Sequence, residues 1–164
     1  MNRAAFITYI VRKVNTAYSR VLPIKSALSD LAGKVYDCNV SPVVVVAAAK
    51  VLTIDDSGKL FSLQAAAGVE ITLPAVATSA GFKAKFVVGL AFATTAWTIK
   101  AATNKIQGGA VVNSTWVPGA DENTITFAHA AETIGDFIDL ECDGTNWYAN
   151  GVAAAAGGIT FTAP

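Results

Sequence analysis

Asp139 and Glu141 stand two positions apart in the alternating stretch DFIDLEC, so a strand there carries both carboxyls on one face. That spacing falls in the ~5 to 9.5 Å range at which two carboxyls flank a glycosidic bond in sugar hydrolases. Acids alternating along the wet side of a strand also keep a sheet surface soluble, which is the plainer reading. His129 is the single histidine, and Cys38 and Cys142 are the only thiols. A cysteine nucleophile with His129 as its base would need these to meet, and nothing in their spacing brings them together. A histidine-built zinc or iron site is excluded, and the two cysteines lack metal-ligand spacing. Asp55–Asp56 and Asp121–Glu122 sit beside turn residues and follow no calcium-loop pattern, so they read as solvated turn acids. Gly108–Gly109 has neither the lysine nor the helix start that a phosphate-cradling loop requires. The chain is therefore read as a non-enzyme, with no catalytic residue, cofactor, metal or small-molecule substrate.

The remaining residues position an interface. Phe6, Ile7, Ile10, Val11, Val14, Ala17, Tyr18 and Val21 recur at spacings of three and four, which predicts an amphipathic helix that ends near Pro23. Its apolar face, with Phe6, Ile10, Val14 and Tyr18, must rest on the chain's own body or on a partner, because a lone helix of this length is marginal in water. A second short helix is expected over Ile24 to Ala32, with Gly33 at its exit. Val43 to Val46 reads as a buried strand, or as an extended arm that adds a strand to a neighbour.

From residue 51 the period becomes two. Strands are expected at Leu60–Leu63, Val69–Leu73, Phe82–Val88, Trp97–Ala101 and Thr124–Phe127, with Gly108–Gly109 and Pro118–Gly119 as loops. Near the end, Asp143–Gly144 suits a two-residue type I′ hairpin turn. That turn would set Leu140 opposite Trp147, Ile138 opposite Ala149 and Cys142 opposite Thr145, all facing inward. Trp147 and Leu140 then anchor a core or an interface. Asp139, Glu141, Asn146, Tyr148 and Asn150 take the other face with Phe137. With no helical pattern between these strands, the expected fold is mainly β. It is an antiparallel, jelly-roll-like β-sandwich or small barrel of about eight to ten strands over residues 51–164. An N-terminal α-helical arm over residues 1–50 precedes it.

Charge divides at the same boundary. The 164 residues are formally neutral, 53 % apolar and 15 % charged. Residues 1–50 hold seven basic groups against Asp30 and Asp37, and residues 51–164 hold five lysines against ten acids. A basic segment of this kind docks on something negative: another copy's acidic body, a nucleic acid or a membrane surface. The acid-rich β region, whose Trp97, Trp116 and Trp147 are not interleaved with basic groups, argues against nucleic acid. The longest unbroken apolar run, Val43–Ala49, is far below the ~18 to 20 residues of a spanning helix. Two cysteines form no disulfide framework and fit a reducing compartment. So high an apolar share with so few charges is what a permanent oligomer or shell component shows, because neighbours cover part of its exterior.

VLTIDDSGKLFSLQAAAGVEITLPAV, residues 51–76, resembles a recurring opening of small β domains in structural proteins of tailed bacteriophages. GDFIDLECDGTNWYANG, residues 135–151, is similar to their closing hairpin, and ATNKIQGG, residues 102–109, to a loop preceding their central strands. The resemblance implies a non-enzymatic virion protein, frequently trimeric, assembled in the host cytoplasm. The short chain and single β module point to a capsid decoration or cement protein that binds the major capsid protein on the head's outer surface. The alternative is a receptor-binding or adhesion domain of a fibre or tail, with Trp116, Asn113 or Asn123 engaging glycans.

Overall fold

The computed structural model describes Tyr9, Lys13 and residues 42–164. The expected arm face, Phe6, Ile10, Val14 and Tyr18, lies outside the described residues. Tyr9 and Lys13 are helical and exposed, with the Lys13 ammonium 5.7 Å from the Tyr9 ring centroid. The compact β unit runs from Pro42 to Pro164.

The unit contains the strands β1 (Val43–Val46), β2 (Lys50–Val51), β3 (Lys59–Leu63), β4 (Glu70–Thr72), β5 (Lys83–Val88), β6 (Trp97–Lys100), β7 (Ile106–Val112), β8 (Thr115–Glu122), β9 (Thr124–Phe127), β10 (Phe137–Cys142), β11 (Trp147–Ala153) and β12 (Ile159–Thr162). They form a seven-stranded sheet in the order β1-β3-β5-β10-β11-β7-β8 and a five-stranded sheet in the order β12-β9-β6-β4-β2.

The first six strands alternate between the two sheets. β1, β3 and β5 lie side by side and parallel in the larger sheet, while β2, β4 and β6 do the same in the smaller one. β7 also runs parallel to β11. The expected all-antiparallel arrangement is therefore incorrect, and both sheets are mixed. The absence of a helical pattern between strands does not by itself require antiparallel pairing. Here the crossover between parallel neighbours is a strand of the opposite sheet, which returns the chain without a helix. Antiparallel ladders join β5, β10 and β11, then β7 and β8, then β6, β9 and β12. The result is a mainly β fold of two mixed sheets around one core, consistent with a sandwich or barrel-like architecture.

Period-two alternation explains which side chains fill that core. Phe61, Phe86, Ile138, Leu140, Trp147 and Ile106 from the large sheet join Ile71, Trp97, Ile99, Ile125 and Phe127 from the small one in a single buried cluster. Phe61 stacks on Phe86 at 5.1 Å, and Phe82 meets the Trp147 ring edge-on at 5.3 Å. Aromatic pairs of this geometry add about 0.5–1.5 kcal/mol to the burial itself.

Three local expectations change. First, β1 is an edge strand rather than a buried one, with only Val46 fully covered. Second, Gly108–Gly109 and Pro118–Gly119 lie inside β7 and β8 rather than in loops. Gly108 has φ +104°, and a Cβ there would sit on the Ala149 carbonyl oxygen, so the glycine permits the close β7–β11 approach. Pro118 is tolerated because β8 is an edge.

Third, the β10–β11 pairing is Cys142 with Trp147, Leu140 with Ala149 and Ile138 with Gly151. The Asp143 carboxylate accepts the amides of Thr145 (2.7 Å) and Asn146 (2.8 Å), which makes a four-residue loop instead of the two-residue turn. The slip is an even number of residues, so every side chain keeps its expected face. The two-residue turn with two positive φ angles occurs instead at Asn113 (φ 47°) and Ser114 (φ 65°), between β7 and β8.

Candidate interaction face

The inner face of the seven-stranded sheet is consumed by the core, and its outer face is set by the same registers. Partnered positions align into rows across the strands. One row reads Val45, Ser62, Val87, Phe137, Val152, Val111, Trp116. Its members are apolar except for Ser62, and it crosses the sheet from edge to edge. Val45 is 57 % exposed, Val152 44 %, Val111 39 % and Trp116 52 %. The Trp116 ring lies over Gly109, where a Cβ would come within 2.6 Å of it. Val152, Val111 and Trp116 lie on three neighbouring strands and form one exposed apolar patch, while the buried Ser62 and the half-buried Val87 and Phe137 separate it from Val45. Soluble monomers seldom expose a large contiguous apolar patch without a partner for it.

The next row reads Val43, Leu60, Lys85, Asp139, Asn150, Gly109, Pro118, and the third carries Lys83, Glu141, Tyr148, Gln107 and Ala120. Lys85 binds Asp139 at 3.4 Å, and Lys83 binds Glu141 at 2.9 Å. Lys85 also lies over the Phe137 ring, 3.7 Å from its centroid, which ties the charged rows to the apolar one. The face thus sets a lysine column on β5 beside an acid column on β10, with no net charge between them. A depression of about 400 Å³ is lined by Asp139, Glu141, Tyr148, Ala149 and Asn150. The two carboxylates considered for sugar hydrolysis share this face as expected. Each is held by a lysine of the neighbouring strand.

Leu140, Trp147, Cys142 and Asp56, also singled out in the sequence, are buried in the fold. Trp147 and Leu140 are fully buried and anchor the core. Cys142 is a buried thiol whose pKa burial pushes up, the opposite of what activates a nucleophile. Among the described residues no group of His, Cys, Asp and Glu side chains is placed to hold a metal. Asp56 is buried and takes the Thr53 amide (3.1 Å) and the Lys59 ammonium (2.8 Å), with Lys50 at 3.5 Å. Burial works to raise its pKa, but the Lys59 and Thr53 hydrogen bonds and the two lysine charges outweigh it, and the net shift is downward. Asp136 does comparable work by accepting the amides of Thr133 and Ala154, which fasten the turn before β10 to the chain after β11.

The apolar row itself was not foreseen. Alternation in each strand marks which residues face outward, but only the registers between non-consecutive strands place Val45, Phe137 and Trp116 in line. No protein-family model, no curated protein and no solved structure matches this chain.

Proposed function

We propose that this chain is a capsid decoration or cement protein, a homo-oligomeric virion component that binds the outer surface of a viral head and stabilises the shell. The observation that carries the reading is the apolar row from Val45 to Trp116, of which Val45, Val152, Val111 and Trp116 stand exposed on an otherwise neutral sheet face. A protein working alone in water has little use for such a strip, whereas a shell component buries it against its neighbours. The resemblance of residues 51–76, 102–109 and 135–151 to β modules of tailed-phage structural proteins supplies the setting. In this reading the β unit is a sandwich of the two mixed sheets, and the helical arm of residues 1–50 docks on the major capsid protein through Phe6, Ile10, Val14 and Tyr18. Stabilisation is mechanical: many modest contacts made together slow the rupture of the shell.

The test is immunogold labelling of particles from a culture that produces this chain, with an antibody raised against the β unit. Label over the head surface is the expected result. Label confined to tails or fibres would replace the decoration role with the receptor-binding one, and the absence of label from every particle would remove both.

A further inference from the structure

We infer that the partner covering the outer face of the seven-stranded sheet is a second copy of this chain, packed face to face about a two-fold axis. The inference rests on the reading that this face is covered by protein, and it names the protein. Charge complementarity identifies the partner. Lys83 and Lys85 form one column on β5, and Glu141 and Asp139 form the adjacent column on β10, paired row by row. A partner of uniform charge gains from one column what it loses to the other.

A second copy related by a two-fold axis parallel to the strands, between β5 and β10, is matched in both columns. Its β10 lies over β5 and its β5 over β10. Lys83 then faces Glu141 of the partner subunit, and Lys85 faces Asp139 of the partner subunit. The same operation sets Val87 against Phe137 of the partner subunit and Val45 against Val111 of the partner subunit, so the apolar rows coincide over six strands. β8 extends past the partner subunit's β1, and the Trp116 ring, which lies over Gly109 of β7, stands at the margin of the contact. Because β10 is the middle strand of the sheet, the axis lies close to its centre and most of the face is used.

The area suffices. Strands spaced ~4.8 Å apart make the sheet about 30 Å wide, and three rows of alternate residues cover about 17 Å along the strands. Two such faces bury roughly 1,000 Å² together, the threshold for a specific interface. Sheet-on-sheet packing at about 10 Å lets the valines of the two copies interdigitate.

The experiment measures the mass of the full-length protein by sedimentation equilibrium across a concentration series, with circular dichroism to verify that each variant is folded. The wild-type protein is expected to form a dimer. Val152→Asp, on an exposed position, is expected to weaken it by about tenfold or more. Lys83→Glu with Lys85→Glu, and separately Asp139→Lys with Glu141→Lys, should each abolish self-association by placing like charges face to face. Mixing these two variants should restore a dimer containing one copy of each. A monomer at every concentration, a mass of three subunits, a dimer indifferent to Val152→Asp, or no recovery on mixing would each overturn the inference. A monomer whose Trp116 face is nevertheless protected from hydroxyl-radical labelling on particles would leave the proposed function standing with a shell subunit as the partner. The particle-labelling result therefore fails or succeeds independently of this one.

Discussion

Ser114 holds φ 65° at the tip of the β7–β8 hairpin, next to Asn113 at φ 47°. Asparagine tolerates the left-handed region, whereas serine adopts it at a cost. Ser114→Gly is therefore expected to stabilise the protein by about 0.5–1 kcal/mol, read as a higher denaturant midpoint with an unchanged slope. Asp56 illustrates a carboxylate that works by being charged. Its folded pKa lies below the ordinary value of 3.8, so its contribution is present in full above that pH and lost as pH falls through the folded value. Denaturant unfolding between pH 6 and pH 3 should show stability falling at the acid end. Asp56→Asn should be less stable at neutral pH and should flatten this dependence. A variant that retains the full acid slope would show that other groups carry it.

At the scale of elements, β7 depends on its glycines. The Gly108 position has φ +104° and faces the Ala149 carbonyl at a distance no Cβ can occupy. Gly108→Ala is expected to cost about 2 kcal/mol or more, by strain at that φ and by prising β7 from β11. Thermal unfolding measures it, and Gly58→Ala is a control with positive φ but open space around it. How far the elements could be read in advance follows from the same physics. The alternation in β5, β6, β9 and β10 was legible because each strand has one core face, and Trp147 and Leu140 are buried as that pattern requires. The β10–β11 register differs by two residues from that of an Asp-Gly two-residue turn because the Asp143 side chain, not the Asp-Gly backbone preference, sets the loop. The parallel ladders were illegible for a different reason. Nothing local in β1, β3 or β5 records which strand will lie beside it, since the chain visits the other sheet between them. The candidate face inherits that limit: the outward valines could be named strand by strand, but not assembled into a row.

For the whole molecule, part of the apolar share now has a location. Among the exposed large apolar side chains of the β unit, Val43, Val45, Val111, Trp116, Tyr148 and Val152 all stand on the outer face of one sheet. The edges of the sheets are treated unequally as well. β8 carries Pro118 and ends in acids, while β1 is four uncharged valines. The central claim is that neighbouring protein covers the outer face in the working assembly, and Trp116 reports on it directly. Trp97 and Trp147 are fully buried, so Trp116 dominates the fluorescence that a polar quencher reaches. The decisive measurement is acrylamide quenching of tryptophan emission in the full-length protein, dilute and then in its native assembly, with Trp116→Phe as the reference. Coverage predicts a quenchable, red-edge component in the dilute protein that disappears on assembly and is absent from Trp116→Phe throughout. Equal quenching of Trp116 in both states would contradict the account.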